Sequence, residues 1–577
     1  MINDEIADIF RNISSYYAMN EDQKSFFRSR AYEKASDTLS KFPYDLSQKE
    51  WYQDIKKLKA IEGIGQTTAE QIVEYVKTGK VEEYEDMKKN SPVKLEELLR
   101  IQGVGPKTIL KLYKKLGVID VESLKKSAES GEIADLEGFG KKKEQNILES
   151  IDFAILNKDR ISIAIAEEQV NKLLNYMDKD KYINQIEIAG SYRRKQETVG
   201  DIDILVSSDN PKKTMHHFVN YPNVEKVLGH GETKSSIWLK FKLQVDIRVV
   251  PKDSFGAALQ YFTGNVDHNV KVRNIAISKG YKLSEYGLFE RKKDKDQKNG
   301  KRVAGTTEEE IYKKLDLQYP VPELRQDRGE IEAAQKNELP KLIELSDIKG
   351  DLQMHTTHSD GVNTIEEMAE KAKLLGYKYI GITDHFGKLY VASAIVEKDF
   401  DKYLQSIKST DEKVNGIKIF ASGEVEIGKN GELEFDEKKL KQLDYVIAAT
   451  HFSTKMSKED MTKRLIKAIR NPLTKIIAHP TGRIIGQRPG FEFDYEKVFE
   501  IAKVENVAME INASPMRLDL NDELARIAKD IGCKLVINTD AHSIDGLDNM
   551  HFGVNSGRRS WLQENDLLNI KDIDLLV

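Results

Sequence analysis

Gly190-Ser-Tyr-Arg-Arg194, followed by Gly200-Asp-Ile-Asp-Ile-Leu-Val206, is the stretch on which the reading of this chain turns. The β-branched residues around Asp201 and Asp203 predict a strand, and strand alternation puts both carboxylates on one face. Leu243-Gln-Val-Asp-Ile-Arg-Val-Val250 predicts a second strand, with Asp246 at its middle and free to pair alongside the first. Three carboxylates on one sheet face repel one another unless cations lie between them. Two Mg²⁺ ions there would stabilise the attacking and leaving oxygens of a phosphoryl transfer. Gly190-Ser191 falls at the end of the preceding β run, Ile186-Glu-Ile-Ala189, where a small turn suits a triphosphate. Arg193 and Arg194 can neutralise its charge. An isolated Asp-x-Asp is usually just an exposed strand face; the turn, the arginines and the third aspartate together favour a catalytic site.

Upstream, to about Asn157, the pattern is of short amphipathic helices, such as Ser25 to Leu39 and Glu70 to Val76. One motif occurs three times: Ile61-Glu-Gly63-Ile-Gly65, Ile101-Gln-Gly103-Val-Gly105 and Leu136-Glu-Gly138-Phe-Gly140. Each copy precedes a predicted helix. The glycines allow a tight turn and a close backbone approach. The helix start offers unpaired N–H groups to a phosphate. This is the helix-hairpin-helix pattern, a grip on a DNA backbone that does not read sequence.

Downstream, a smaller mixed segment runs to about Leu317. Tyr319 to Ser346 is polar, carries Pro320, Pro322 and Pro340, and predicts an inter-domain connector. After Gly350 strands and helices alternate. Tyr379-Ile-Gly-Ile-Thr, Tyr445-Val-Ile-Ala-Ala, Lys475-Ile-Ile-Ala, Val507-Ala-Met-Glu-Ile and Leu535-Val-Ile-Asn predict buried parallel strands, with helices such as Ile365 to Leu375 and Leu524 to Ile531 between them. A β/α barrel or related α/β fold is expected. Ligand-type residues recur at the strand ends: His355 and Asp360, Asp384-His385, Glu424, His451, His479, and Asp540 with His542. A barrel places its active site at those ends. Imidazole mixed with carboxylate suits Mn²⁺, Zn²⁺ or Fe²⁺ and hydrolysis by an activated water.

The bulk numbers set bounds. At 577 residues the chain is too long for one core, so several domains are expected. The net charge of −5 gives no overall basic signal, so any nucleic-acid footprint must be local, as at Lys141-Lys142-Lys143 or Arg193-Arg194-Lys195. Cys533 is the only cysteine, which excludes an intrachain disulfide and a cysteine zinc site. The first residues predict no secretory signal, and no apolar run is long enough to span a bilayer. A cytoplasmic protein that engages no membrane is expected.

Over residues 1–317, Gly190-Ser-Tyr-Arg-Arg, Gly200-Asp-Ile-Asp, Val245-Asp-Ile-Arg and Tyr261-Phe-Thr-Gly264, with the hairpins, resemble the family X DNA polymerases, the DNA polymerase beta group. The resemblance implies gap-filling synthesis in DNA repair from dNTPs on gapped or primer-template DNA, by a monomer. It implies that Asp201 and Asp203 bind both Mg²⁺ ions, and that Asp246 binds the catalytic one and helps activate the primer 3′-hydroxyl. It places Ser191, Arg194 and Gly200 at the triphosphate. Tyr261, Phe262 and Gly264 would lie at the sugar, Asn269 at the base edge and Arg273 on the template. The hairpin glycines 63, 65, 103, 105, 138 and 140 would bind DNA. Two positions depart. Gln71 stands where lyase-active members carry a lysine and cannot form a Schiff base. Gln244 replaces an arginine beside the third aspartate.

Over residues 347–577 the motifs resemble the PHP (polymerase and histidinol phosphatase) domain. This implies a distorted β/α barrel with up to three metals and, in bacterial family X enzymes, a Mn²⁺-dependent 3′–5′ exonuclease, often with abasic-site or 3′-end cleavage. The implied ligands are His355, Asp360, His385, Glu424, His451, His479, Asp540 and His542. The family's opening His-x-His reads Gln353-Met354-His355 here, and a Gln carbonyl is the poorer ligand. A weakened metal site is therefore expected, with His358 a nearby substitute to consider.

The expected fold is thus multidomain. A helical DNA-binding region spans 1–80, a fingers-like helical region 81–157, an α+β nucleotidyltransferase palm 158–253 and a thumb 254–318. A linker at 319–346 leads to the PHP domain at 347–577. Two other readings are a DNA scaffold with inert sites, and a template-independent nucleotidyltransferase joined to a PHP phosphatase. The complete aspartate triad weighs against the first and the three hairpins against the second.

Overall fold

The structure is a computed structural model describing residues 2–571, except 21, 41, 43–45, 62, 100, 102, 157–159, 241–242, 292–299 and 388–392. The second residue of each of the first two hairpin motifs (62 and 102) and the expected 157/158 boundary lie outside the described residues.

The N-terminal region is helical, in two small cores. Ile6, Phe10, Ile13 and Tyr17 recur at helical spacing along Ile2–Ala18 and pack with Leu39, Leu58 and Ile72. Leu98, Ile109, Leu112, Leu124 and Ile147 form the second core. The three glycine pairs each lie just before a helix, namely Gln66–Thr78, Pro106–Leu116 and Lys141–Leu156.

The palm is a five-stranded sheet in the spatial order Ile183–Ile188, Asp201–Ser208, Gln244–Val249, Lys234–Leu239, Val224–His230. The second and third strands run parallel, with Asp203 opposite Asp246 and Asp201 opposite Gln244. All other pairings are antiparallel. Ile202, Ile204 and Val206 face the core with Val245 and Ile247, which leaves the aspartates on the other face.

The thumb pairs Tyr281–Ser284, Gly287–Glu290 and Arg302–Ala304 with the helices Phe255–Thr263, Val266–Ser278 and Glu308–Lys314. Residues 319–346, expected to be a polar connector, join the domains as a packed strap. Ile331 and Ala334 lie in the thumb core, and Ile343 lies in the barrel core. Three of the strap's charged residues, Glu323, Arg325 and Glu330, are buried as partners, while others such as Glu332, Lys336, Asn337 and Lys341 stay exposed. Arg325 is fully buried between Tyr312 and Tyr319, 2.6 Å from Glu308. Glu330 is fully buried, 2.7 Å from His268.

The C-terminal domain is a closed parallel barrel. Gly350–Met354 pairs with Tyr379–Ile382, which pairs with Lys418–Ala421. Those last two runs continue as His385–Phe386 and Glu424–Glu426, and the order goes on through Val446–Ala449, Thr474–Ile477, Ala508–Asn512 and Leu535–Asn538. Closure comes from His355 N–H to the Ala541 carbonyl and Asp540 N–H to the Gln353 carbonyl. The lumen is plugged by Leu352, Tyr379, Phe420, Tyr445 and Ile447, so the open strand ends form a shallow mouth over a filled barrel.

Candidate active sites

In the palm, Gly190 has φ +62°, and a Cβ there would come within 2.7 Å of Asp203 Oδ2. The strand end therefore reaches the carboxylate only as glycine. Burial and the neighbouring Asp201 and Asp246 push the Asp203 carboxyl up to about 6, as expected where like charges lack a cation. Burial also opposes ionisation of Asp246, but hydrogen bonds from Lys234, Gln244 and Ser236 outweigh it and hold its carboxyl below the usual range. Lys234 Nζ lies 2.9 Å from one Asp246 oxygen and Gln244 Nε2 lies 3.0 Å from the other. Gln244 thus orients the third aspartate.

The two arginines that look alike in sequence have different surroundings. Arg193 donates to Thr263 Oγ1 (2.6 Å) and to Glu308 (2.7 Å). It is an internal tie to the thumb, not the triphosphate neutraliser or surface footprint that the sequence suggested. Arg194 donates to the Thr263 carbonyl at 2.6 Å, while its buried Nε has no hydrogen-bond partner. Burial and the nearby Arg325, Arg160 and Arg559 lower its guanidinium to about 10. A half-satisfied cation among cations suits an anion. Ser191 and Gly200 lie at either end of this loop. Tyr261 and Phe262 stack edge-on, with Tyr261 exposed, and Asn269 is fixed by Gln260 and the Tyr261 carbonyl. Gly264 abuts Asn269. Arg273 is exposed on the Val266–Ser278 helix.

In the hairpins, Gly63, Gly103 and Gly138 all have φ between +80° and +88°. A Cβ at Gly65, Gly103, Gly105, Gly138 or Gly140 would meet nothing within 4 Å, so these backbones are open to a ligand's approach. Lys143 lies over Phe139, 3.9 Å from the ring centre. Gln71 is buried, donating to Glu83 and accepting from Tyr32. It borders a cavity of about 640 Å³ lined by Glu70, Glu74, Glu82, Glu83 and Asp86.

At the barrel mouth all eight expected ligands converge. Glu424 lies at the centre: Oε2 is 3.0 Å from His385 and 3.4 Å from His355, and Oε1 is 3.0 Å from His479 and 3.4 Å from His451. His355 Nε2 is 3.0 Å from Asp540, and Asp360 is 3.3 Å from His542 and 3.6 Å from His385. Seven of the eight, all but His479, sort into three overlapping groups: His355, Asp360, His385 and His542; His385, Glu424 and His451; and His355, Glu424 and Asp540. Spacings of 3.0–3.6 Å are what two donors about 2.1 Å from one ion would show. Both His355 nitrogens, His385 Nδ1, Glu424 Oε2 and Gln353 Oε1 are buried without a hydrogen-bond partner, as fits groups built for metal ions. Burial works against a charged His355, yet Asp540, Glu424 and Asp360 raise it to about 10, so the cluster calls for positive charge. His479 and Asp540 both have positive φ, at 27° and 55°, a conformation non-glycine residues keep where the surroundings enforce it.

Gln353 is fully buried beside the cluster, with Nε2 3.4 Å from Asp540. His358 is no substitute: it bonds Ser406 at 3.1 Å and packs on Tyr403. The sequence reading missed the residues that orient the ligands. Glu426 holds His451 Nδ1 at 2.8 Å and accepts from the 451 and 452 amides. Fully buried Glu510 accepts from the His479 amide, Asn512 and Asn538, and Asn512 also donates to Asp540. Asp384 holds Thr356 and Ser359 in the loop that carries Asp360. Such partners fix ligand orientation. Their sequence signal is a carboxylate inside an otherwise apolar strand, as in Val507-Ala-Met-Glu510-Ile.

Five family models match this chain. They are a helix-hairpin-helix domain (1–81), a SAM-like helix-hairpin-helix tandem (95–152), a DNA polymerase beta palm (160–252), a DNA polymerase beta thumb (258–326) and a PHP domain (351–514). The chain is 36% identical to the DNA polymerase/3′-5′ exonuclease PolX of Bacillus subtilis (strain 168), over 99% of this chain and 98% of that protein. It is 29% identical to DNA polymerase lambda of Arabidopsis thaliana, over 50% of this chain and 54% of that protein. A probable phosphatase of Thermoanaerobacter sp. (strain X514) is 34% identical over 33% of this chain and 78% of its own length. No helix among the described residues is long and apolar enough to cross a membrane.

Proposed function

The chain belongs to the family X DNA polymerases that carry a C-terminal PHP domain, and from that premise we propose that it fills short gaps in DNA and trims the same 3′-ends by hydrolysis. The observation that carries the reading is that both donor sets cluster in one chain: three aspartates on one palm face, and at one barrel mouth seven donors grouped at ion-binding spacing with His479 beside them.

In the palm, Asp201, Asp203 and Asp246 would hold Mg²⁺, which when bound neutralises charge on the attacking and leaving oxygens. Arg194, with an unpaired buried N–H, and Ser191 bind and orient the triphosphate. Asp246 is the carboxylate placed to take the primer 3′-hydroxyl proton, and Gln244 and Lys234 orient it. Tyr261, Phe262 and Asn269 line the nucleoside pocket, and Arg273 meets the template. The open hairpin glycines grip the DNA backbone. At the barrel, His355, Asp360, His385, Glu424, His451, His479, Asp540 and His542 would hold Mn²⁺ or a similar ion, which activates water and polarises the phosphodiester. Glu426, Glu510 and Asn512 keep those ligands aligned. Gln71 supplies no amine, and its acidic cavity repels a 5′-phosphate, so lyase chemistry by that route is absent. The division into helical, palm, thumb and PHP units at the expected boundaries, a monomeric state and a cytoplasmic location complete the reading.

The test is a separation of activities. Asp201→Ala with Asp203→Ala should abolish single-nucleotide extension of a gapped duplex and leave 3′–5′ degradation intact. His385→Ala or Asp540→Ala should do the reverse. Loss of both activities from either change refutes the assignment. Equal extension of gapped, blunt and single-stranded primers would instead favour template-independent transfer.

A further inference from the structure

The loop that carries Ser191 and Arg194 is fastened from outside the palm. Arg559, buried at the end of the barrel-domain helix Met550–Arg559, donates from Nη1 to the Lys195 carbonyl at 2.6 Å. Its Nε and Nη2 meanwhile hold Asp522 at 3.1 and 2.7 Å. Asp522 also receives Arg328 of the strap at 3.0 Å. Two residues further along the loop, Arg483 of the barrel domain makes a two-pronged contact with the Glu197 carboxylate, at 3.2 and 2.6 Å, and is itself tied to the Leu518 carbonyl.

These contacts fall where the loop is conformationally committed. Lys195 has φ +55°, which a lysine seldom adopts. Its amide bonds the Tyr192 carbonyl at 2.9 Å, and the next amide, of Gln196, bonds the Ser191 carbonyl at 3.1 Å. A peptide pinned at Lys195 therefore sets where Ser191 sits. The Arg559 charge is already answered by Asp522, so its third arm needs no further counter-charge and acts as a directional tether.

We propose that Arg559 and Arg483 of the barrel domain are positioning residues of the polymerase site, holding the 190–199 loop in its nucleotide-binding shape. The nuclease domain is then part of the apparatus that binds the incoming dNTP. The inference rests on the assignment of Ser191 and Arg194 to the triphosphate. It is not a claim that either arginine touches substrate.

The test uses the full-length protein. In Arg559→Ala, the dNTP KM on a one-nucleotide gap should rise about tenfold, equivalent to about 1.4 kcal/mol, with kcat and Mn²⁺-dependent 3′–5′ degradation close to wild type. Arg559→Lys keeps a donor for the Lys195 carbonyl but cannot bridge to Asp522, so its KM should fall between. Glu197→Gln and Arg483→Gln should each raise KM, and the double variant no further than the larger single effect. An unchanged KM in Arg559→Ala and Arg483→Gln overturns the proposal, as does a KM rise matched by comparable falls in kcat and nuclease activity. If Arg559→Ala does not fold, the Glu197–Arg483 cycle decides alone: a non-additive KM rise sustains the proposal and an unchanged KM overturns it. A wild-type protein that fails to extend a gapped duplex would refute the polymerase reading itself, before any variant is compared.

Discussion

Replacing Gly190 by alanine tests the palm site at its tightest point. The left-handed φ of +62° costs a Cβ-bearing residue about 1–2 kcal/mol. The new methyl would stand 2.7 Å from Asp203 Oδ2, where ordinary contact begins at 3.4 Å, so the carboxylate or the turn must give by about 0.7 Å. Asp203 has little room to yield. Asp201 and Asp246 crowd it electrostatically, and its own carbonyl is tied to the Ala189 amide at 2.8 Å. A displacement near 1 Å in a group that positions reacting atoms costs about 10²-fold in rate. The expected result is therefore a fall of about 100-fold in kcat for single-nucleotide gap filling at saturating Mg²⁺, with a melting temperature lowered by only a few degrees (about 2–4 °C per kcal/mol). The 3′–5′ nuclease of the same preparation serves as the internal control and should be unaffected. A gap-filling rate within threefold of wild type would refute the reasoning, because Asp203 would then tolerate a displacement that a metal ligand cannot.

Two further changes probe the strap and the barrel. Burial works against an ionised Glu308, but Arg325 and Arg193 outweigh it and hold its carboxyl down at about 2. A depressed carboxylate stabilises fully above its unfolded value near 4.5 and loses that stabilisation as pH falls toward 2. Glu308→Gln should therefore cost about 3 kcal/mol at neutral pH and clearly less at pH 3 in urea unfolding; an equal cost at pH 7 and pH 3 would count against the ion-pair account. Gln353→His should lower the Mn²⁺ concentration for half-maximal nuclease activity by about tenfold, since the buried Gln353 Oε1 has no hydrogen-bond partner beside the cluster. An unchanged Mn²⁺ requirement would show that position 353 is no ligand.

What the sequence disclosed follows from which physics is local. Asp201 and Asp203 were legible because strand alternation fixes their common face, and Asp246 because a lone carboxylate in an apolar strand calls for a reason. The convergence of eight metal-type donors at the barrel mouth was legible because each follows a predicted strand. The difference between Arg193 and Arg194 was not, since it depends on Glu308, 115 residues away. The strap reads as a connector from its polar run and three prolines, signals that do not say which of its side chains are buried. Arg325 and Glu330 are buried against Glu308, Tyr312 and His268, pairings that no local pattern announces. Glu426 and Glu510 were passed over for a related reason. Glu510 carries the same signal as Asp246, a carboxylate inside an apolar strand, but what it orients, the His479 amide and Asn512, is set by tertiary contacts.

The way palm and barrel are joined bears on how one DNA end reaches two sites. Leu518 and Phe552 of the barrel domain lie in the palm core. Arg483 and Glu197, Arg559 and the Lys195 carbonyl, and His551 and Glu167 bridge the same face. The strap is anchored in both cores. Swinging the barrel against the palm would expose those apolar side chains and separate charged groups that are largely shielded from water. Parting the two ion pairs and the hydrogen bond costs about 1 kcal/mol each, and exposing Leu518 and Phe552 about 1.5–3 kcal/mol each. Melting a few terminal base pairs costs about 1.4 kcal/mol per step. For an end to pass from synthesis to trimming, moving the DNA is the cheaper course, and the protein serves as a fixed frame with two mouths.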